Sequence, residues 1–174
     1  MLDHLYLIVS GAGTARRIPG LAATLATIGP RIIVVSTPNA ERVIAPRDIA
    51  LALRPWPRHR VVESYFDDAI VPRPPRGVVL FAPCTFGSLN KVAAGIADNL
   101  AISIVSEAVG RRTPVIVAVS VNVPLWTHPR AKESVATLLG WGVTVLEPVP
   151  NGDEITMADD RAILGAVTSA LAGS

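Results

Sequence analysis

Cysteine is nearly absent: of 174 residues only Cys84 carries a thiol. No disulfide can close within the chain, which excludes the stapled scaffolds of small secreted proteins. Histidine is scarce as well. His4, His59 and His128 lie far apart, and no His, Cys, Asp or Glu cluster has zinc spacing. No nucleophile-elbow serine motif occurs. Charged residues make up 17% of the chain and the net charge is +2, so no basic field argues for nucleic acid. The arginines fall in short scattered groups, among them Arg58-His59-Arg60 in the Pro-rich basic stretch 54–60. Long apolar runs are missing too: none reaches the roughly 18 residues needed to cross a bilayer. Met1-Leu2-Asp3-His4 leads straight into a strand pattern, without the positive region and apolar stretch of a signal peptide. The expectation is a soluble cytoplasmic protein with no nucleic-acid or membrane partner.

What the chain does have is apolar bulk, half of its residues. Its length suits one domain over residues 1–174 with a full core. Short apolar runs predict strands at 5–9, 31–35, 61–62, 78–82, 114–119 and 142–146. Pro83 is expected to end the fourth strand, because it has no N–H to donate. Between these runs the apolar residues recur at helical spacing. Ile18, Leu21, Ala22, Leu25 and Ile28 are one such set; Leu89, Val92, Ala93 and Ile96 are another. Helices are predicted over 38–44, 46–53, 100–109, 129–139 and 159–171 as well, and an irregular loop over 64–76. Strands alternating with helices imply an α/β fold, a doubly wound parallel sheet of Rossmann-like or flavodoxin-like type with helices on both faces.

Four polar turns follow strand runs: 10–14, 36–39, 83–88 and 120–126. In a doubly wound sheet, neighbouring carboxyl ends share one crevice, and ligands bind there. Gly11 and Gly13 let backbone approach a phosphate closely, and Thr14 adds a hydroxyl. The glycine spacing is not the full dinucleotide fingerprint, so a mononucleotide phosphate fits better. Thr37 stands at the end of the second strand, where it can also cap the next helix. Cys84 is read as opening a helix, a setting that can lower a thiol pKa.

Ala82-Pro83-Cys84-Thr85-Phe86-Gly87-Ser88-Leu89-Asn90-Lys91, followed by Gly95-Ile96-Ala97-Asp98-Asn99-Leu100, resembles the signature of the homo-oligomeric flavin-containing cysteine decarboxylase family. That family includes phosphopantothenoylcysteine decarboxylase, peptidyl-cysteine decarboxylases and flavin prenyltransferases. The resemblance runs over roughly residues 5–148. It implies FMN as cofactor, its phosphate near Gly11 and Thr14 with Thr37 beside it, and its ring near Pro83, Cys84 and Thr85, with Ser88 closing the motif. Ser120-Val121-Asn122-Val123-Pro124-Leu125-Trp126 is similar in part to the family's substrate clamp, which implies that Asn122 holds a carboxylate and Trp126 covers flavin or substrate. It also implies a homotrimer or a multiple of trimers, with flavin bound between subunits.

The activity so implied is oxidative decarboxylation of a cysteine-type carboxylate, such as a peptide C-terminal Cys. Phe86 and Gly87 depart from the family's motif, and Val119, Val121 and Leu125 from its clamp. The two losses that bear on the chemistry are its catalytic His, which falls at Ala69, and a substrate-contacting Asn, which falls at Gly87. If decarboxylation persists, another group must carry the proton. His128, two residues after Trp126, is the first candidate and Asp68 the second, with Tyr65 and Asp67 nearby. Two other readings stay open: a flavin-binding protein without decarboxylase activity, and a flavin prenyltransferase-like enzyme, whose branch the Arg111-Arg112-Thr113-Pro114 run resembles.

Overall fold

Five- to seven-residue apolar runs that end in Ser or Cys build the centre of this molecule. The computed structural model describes residues 4–70 and 77–173. Its strands are β1 (His4–Val9), β2 (Arg31–Ser36), β3 (Arg60–Val62), β4 (Val78–Cys84), β5 (Val115–Val119) and β6 (Thr144–Leu146). They form one sheet in the order β3-β2-β1-β4-β5-β6, every neighbour parallel. The chain reverses its winding between β1 and β4, which is where such sheets open a crevice.

The two faces are buried by different helices. Leu5, Leu7 and Val9 pack with α1 (Ile18–Thr27), α2 (Pro46–Leu53) and α7 (Asp160–Ala172). Tyr6, Ile8, Val79 and Phe81 pack with α3 (Phe86–Ala93), α4 (Leu100–Gly110) and α6 (Pro129–Gly140). Strand side chains alternate between faces, so each run must be apolar throughout to fill both layers. No helix among the described residues is long and apolar enough to cross a membrane.

Several expectations need correction. Pro83 does not end its strand: β4 continues to Cys84, past a register irregularity after Phe81 and a cis Ala82–Pro83 bond. A proline cannot donate, but its carbonyl still accepts, here from the Ser10 N–H at 3.1 Å. Cys84 therefore closes a strand; Thr85 is the residue that caps α3. The helix expected after Pro38 is a single tight turn, Ala40–Arg42. Ile96 is not on α3, which stops at Ala93. Gly95 is left-handed (φ 71°), and the N–H groups of Gly95 and Ile96 fold back to the carbonyls of Val92 and Lys91, leaving Ile96 exposed. Asn99 then caps α4 as a fresh start, its Oδ1 accepting from Ile102 N–H at 3.1 Å. α4 runs through Gly110, and the left-handed residue after it is Arg112 (φ 57°). An antiparallel hairpin, β7 (Val149–Asn151) with β8 (Glu154–Thr156), lies outside the sheet and was not foreseen. Of the irregular loop, 64–70 are described, while Pro72, Pro74 and Pro75 lie outside the described residues.

Candidate functional site

The crevice at the carboxyl ends of β1, β4 and β5 is a cleft of about 410 Å³. It is lined by Ala12 and Gly13 after β1, Thr85, Phe86 and Gly87 after β4, and Ser120, Val121, Asn122 and Leu125 after β5. Among the described residues no ionisable side chain lines it. Its walls are instead joined by short hydroxyl bonds. Ser10 Oγ donates to the Pro83 carbonyl at 2.7 Å and accepts from Thr85 N–H at 2.9 Å. Thr14 Oγ1 and Ser120 Oγ are 2.7 Å apart, and Ser120 N–H donates to the Cys84 carbonyl at 2.9 Å. Three loops from three strands are thereby held in one arrangement.

The floor of the cleft offers donors and space. Phe86 and Gly87 are the first residues of α3, where N–H groups have no carbonyl within the helix to bond. Such an end favours anions and polar oxygens. A Cβ added at Gly13 or Gly87 would meet nothing within 4 Å, so both glycines leave open room at the cleft. Gly11 works differently. A Cβ there would come within 2.8 Å of the Asn39 carbonyl group, so this glycine permits close packing of the first two turns.

The expected site residues divide into two sets. Thr85 and Asn122 line the cleft, and Thr14 and Ser88 bond directly to its lining or cap: Ser88 N–H and hydroxyl lie 3.4 and 3.1 Å from Thr85 Oγ1. Gly11, Thr37, Pro83 and Cys84 stand behind the wall. Thr37 is buried, and its N–H donates to the Val9 carbonyl at 2.8 Å. The Cys84 side chain is fully buried, and burial pushes its thiol far up from the ordinary range. A helix start can lower a thiol pKa, but here Cys84 closes a strand and desolvation acts the opposite way. Trp126 is half-buried and packs on the α3–α4–α6 layer.

The two proton-carrier candidates are not brought together. His128 is exposed at the cap of α6, its Nδ1 accepting from Arg130 N–H at 3.0 Å. The neutral ring then keeps its proton on Nε2. Its ring packs edge-on against Phe86, centroids 5.3 Å apart, so it adjoins a cleft residue. Asp68 lines a different cavity with Arg31 and Arg60, the first residues of β2 and β3 and hence at the amino edge of the sheet. Ala69 beside it is buried in the core layer. Sequence reasoning passed over Ser10 and Ser120 as individual site residues. The available signal was that the apolar runs of β1, β2 and β5 each meet a serine at their carboxyl end, Ser10, Ser36 and Ser120.

The sequence profile described as Flavoprotein matches residues 2–171. The chain belongs to the Flavoprotein family. This flavoprotein is 29% identical over 142 residues to phosphopantothenoylcysteine decarboxylase of Mus musculus, covering 77% of this chain and 67% of that protein. It is 31% identical over 173 residues to the coenzyme A biosynthesis bifunctional protein CoaBC of Mycobacterium bovis, covering 93% of this chain but 39% of that protein. The flavoprotein thus spans about two-fifths of that bifunctional relative. Among solved structures it resembles the FMN-dependent cysteine decarboxylase SpaF, with a TM-score of 0.75 at 26% identity over 97% of each chain. The peptidyl-cysteine decarboxylase EpiD shares the fold, with a TM-score of 0.79 at 18% identity over 97% of this chain and 99% of that one.

Proposed function

We propose that this flavoprotein, acting as one domain over residues 1–174, binds FMN in the carboxyl-edge cleft and oxidatively decarboxylates a cysteine-type carboxylate, such as a peptide C-terminal Cys. The observation that carries the reading is the cleft's build: small residues, hydroxyls and an open helix start on a preformed frame. Decarboxylases of cysteine-containing substrates recur among its relatives, and SpaF is described as FMN-dependent. When bound, the flavin supplies the two-electron oxidation that this chain's side chains cannot.

The residues take the following parts. Thr14, Ser120 and the Gly13 backbone hold the phosphate end. The N–H groups of Phe86 and Gly87, with Thr85 Oγ1, hold polar oxygens at the α3 start. Asn122 uses Oδ1 to cap α5 (Val123–Thr127), accepting from Leu125 N–H at 3.1 Å, which leaves its Nδ2 for the substrate carboxylate. Trp126 steadies that loop from below. His128 donates from Nε2 at the cleft rim. Val123 and Leu125, each 37% exposed at this rim, suit a second copy completing the site in a trimer or a multiple of trimers.

One observation favours a second reading, flavin binding without decarboxylation. Among the described residues no ionisable group lines the cleft, and Ala69 is core. The experiment is FMN titration followed by incubation with a peptide ending in Cys. Quenched flavin fluorescence and product lighter by CO2 plus two hydrogens support the first reading. Binding without product supports the second, and no binding at tens of micromolar FMN removes both, since a native-state ligand must bind to stabilise.

A further inference from the structure

At the amino edge of the sheet, away from the flavin cleft, the stretch 54–60 folds around a buried histidine. His59 is 6% exposed. Its Nδ1 accepts from Ile32 N–H at 2.8 Å, tying the ring to β2. The ring proton of the neutral imidazole is therefore on Nε2. That Nε2 is shielded from solvent and meets no acceptor among the described residues, a costly state for a buried donor. Beside it lies a cavity of about 290 Å³, lined by His59 with Arg54, Trp56, Pro57, Arg60 and the end of α2.

The charged side chains that line this cavity, among the described residues, are of one sign, while Asp67 and Asp68 share the neighbouring cavity with Arg31 and Arg60. Arg54 and Arg60 line it, and Arg58 and Arg31 act on the imidazole through their charge. Among the described residues none of these four guanidiniums forms an ion pair. Three are instead fixed by backbone carbonyls. Arg31 Nε donates to Arg58 at 3.0 Å, Arg58 donates to Gly29, and Arg60 donates to Pro57 and His59 at 3.0 Å. Arg54 makes no such bond. The carbonyls of Leu51 and Leu53 at the end of α2 accept from the N–H groups of Arg54 and Trp56, so the negative end of that helix is partly met by donors and the arginines must outweigh the rest. Two guanidiniums that form no ion pair among the described residues, lining a cavity next to a donor without an acceptor, make a site for a multiply charged oxyanion.

We propose that this cavity binds a phosphate dianion, inorganic or the end of a phosphate monoester, with one oxygen accepting from His59 Nε2–H and the others facing Arg54 and Arg60. Arg54 and Arg60 are exposed and long, and admit the ligand by changing rotamer. Trp56 and Pro57 give a monoester's organic part an apolar wall.

The test is a titration of FMN-saturated protein, with 15N-labelled histidine, by inorganic phosphate and separately by phenyl phosphate, against chloride at matched ionic strength. The expected result is a saturable shift of the His59 Nε2 resonance with phosphate and none with chloride, the flavin spectrum staying constant. Tighter binding of phenyl phosphate identifies a monoester as the ligand; equal binding identifies free phosphate. His59→Asn keeps an acceptor for Ile32 and removes the donor; it should weaken binding at least about tenfold, in keeping with a charge-assisted bond. Arg54→Gln, on a side chain with no structural bond, should weaken it severalfold, and reads out the site should the His59 variant not fold. The proposal is overturned if neither ligand shifts His59 beyond the chloride control, if phosphate acts by displacing flavin, or if both variants bind as tightly as the parent.

Discussion

The two ends of the same sheet are built on opposite principles. At the carboxyl edge, hydroxyls and backbone amides satisfy one another around Ser10, and no charged side chain among the described residues lines the cleft. At the amino edge, four arginines surround an imidazole that lacks one partner. The first arrangement holds three loops in a fixed shape before any ligand arrives. The second leaves a donor without a partner beside arginines that form no ion pair among the described residues.

This contrast can be broken most forcefully at its carboxyl end. Ser10→Val removes one of the two donors to the Pro83 carbonyl, whose bond from the residue-10 N–H remains, and the acceptor of the Thr85 amide; that amide left unpaired costs about 1–3 kcal/mol. Thermal unfolding should fall by several degrees or more, and flavin affinity with it. Gly11→Val is next. Its Cβ would meet the Asn39 backbone at 2.8 Å, so the variant should lose about 1–3 kcal/mol by overpacking as well as weakening FMN binding. A loss of FMN binding at unchanged melting temperature would show that the glycine serves the ligand alone.

The amino edge should reveal itself through pH. Burial first, then the charges of Arg58 and Arg31, lower the His59 pKa below 6.5. The unfolded chain then binds this proton more readily than the folded one. Stability from the neutral ring is complete above pH 6.5, and falls as pH drops through 6.5 toward the folded value. A melting curve that declines over this window should flatten in His59→Asn. The smallest effects are at the rim. Asn122→Ala removes a helix cap worth about 1 kcal/mol and should cut any decarboxylation while sparing the flavin spectrum. Asp68→Asn, at the other edge, should change neither, as followed by product mass and absorbance. Arg112→Gly should stabilise slightly, by about 0.5–1 kcal/mol, because it relieves a left-handed arginine at φ 57°.

The parallel sheet was legible because its signal is simple. Runs such as Leu5 to Val9 or Val115 to Val119 are apolar on both faces, and helical spacing separates them. Thr85 and Asn122 were legible for a related reason: each follows a strand and caps a helix through its own side chain. What stayed hidden depends on contacts distant in sequence. The extension of β4 through Pro83 rests on Ser10, 73 residues away. The Thr14–Ser120 bond spans 106 residues. Gly77, whose Cβ would stand 2.4 Å from the His4 carbonyl oxygen, has no local mark of that closeness. The β7–β8 hairpin carries a turn at Asn151-Gly152 but no apolar alternation, since β7 is exposed throughout. The orphan atom of His59 belongs to the same class: a lone histidine in a basic stretch reads as solvated until β2 is packed against it.

The outermost strands of the sheet, β3 and β6, are only three residues long. Each interior strand has five to seven. An open sheet edge is a template on which a strand of another molecule can add, and long apolar edges seed aggregates. Here the apolar ladders end in stubs, one of them headed by the exposed Arg60. With so few free rungs, a foreign strand gains little by adding. A chain that is half hydrophobic is thereby protected from edge-to-edge growth at high concentration.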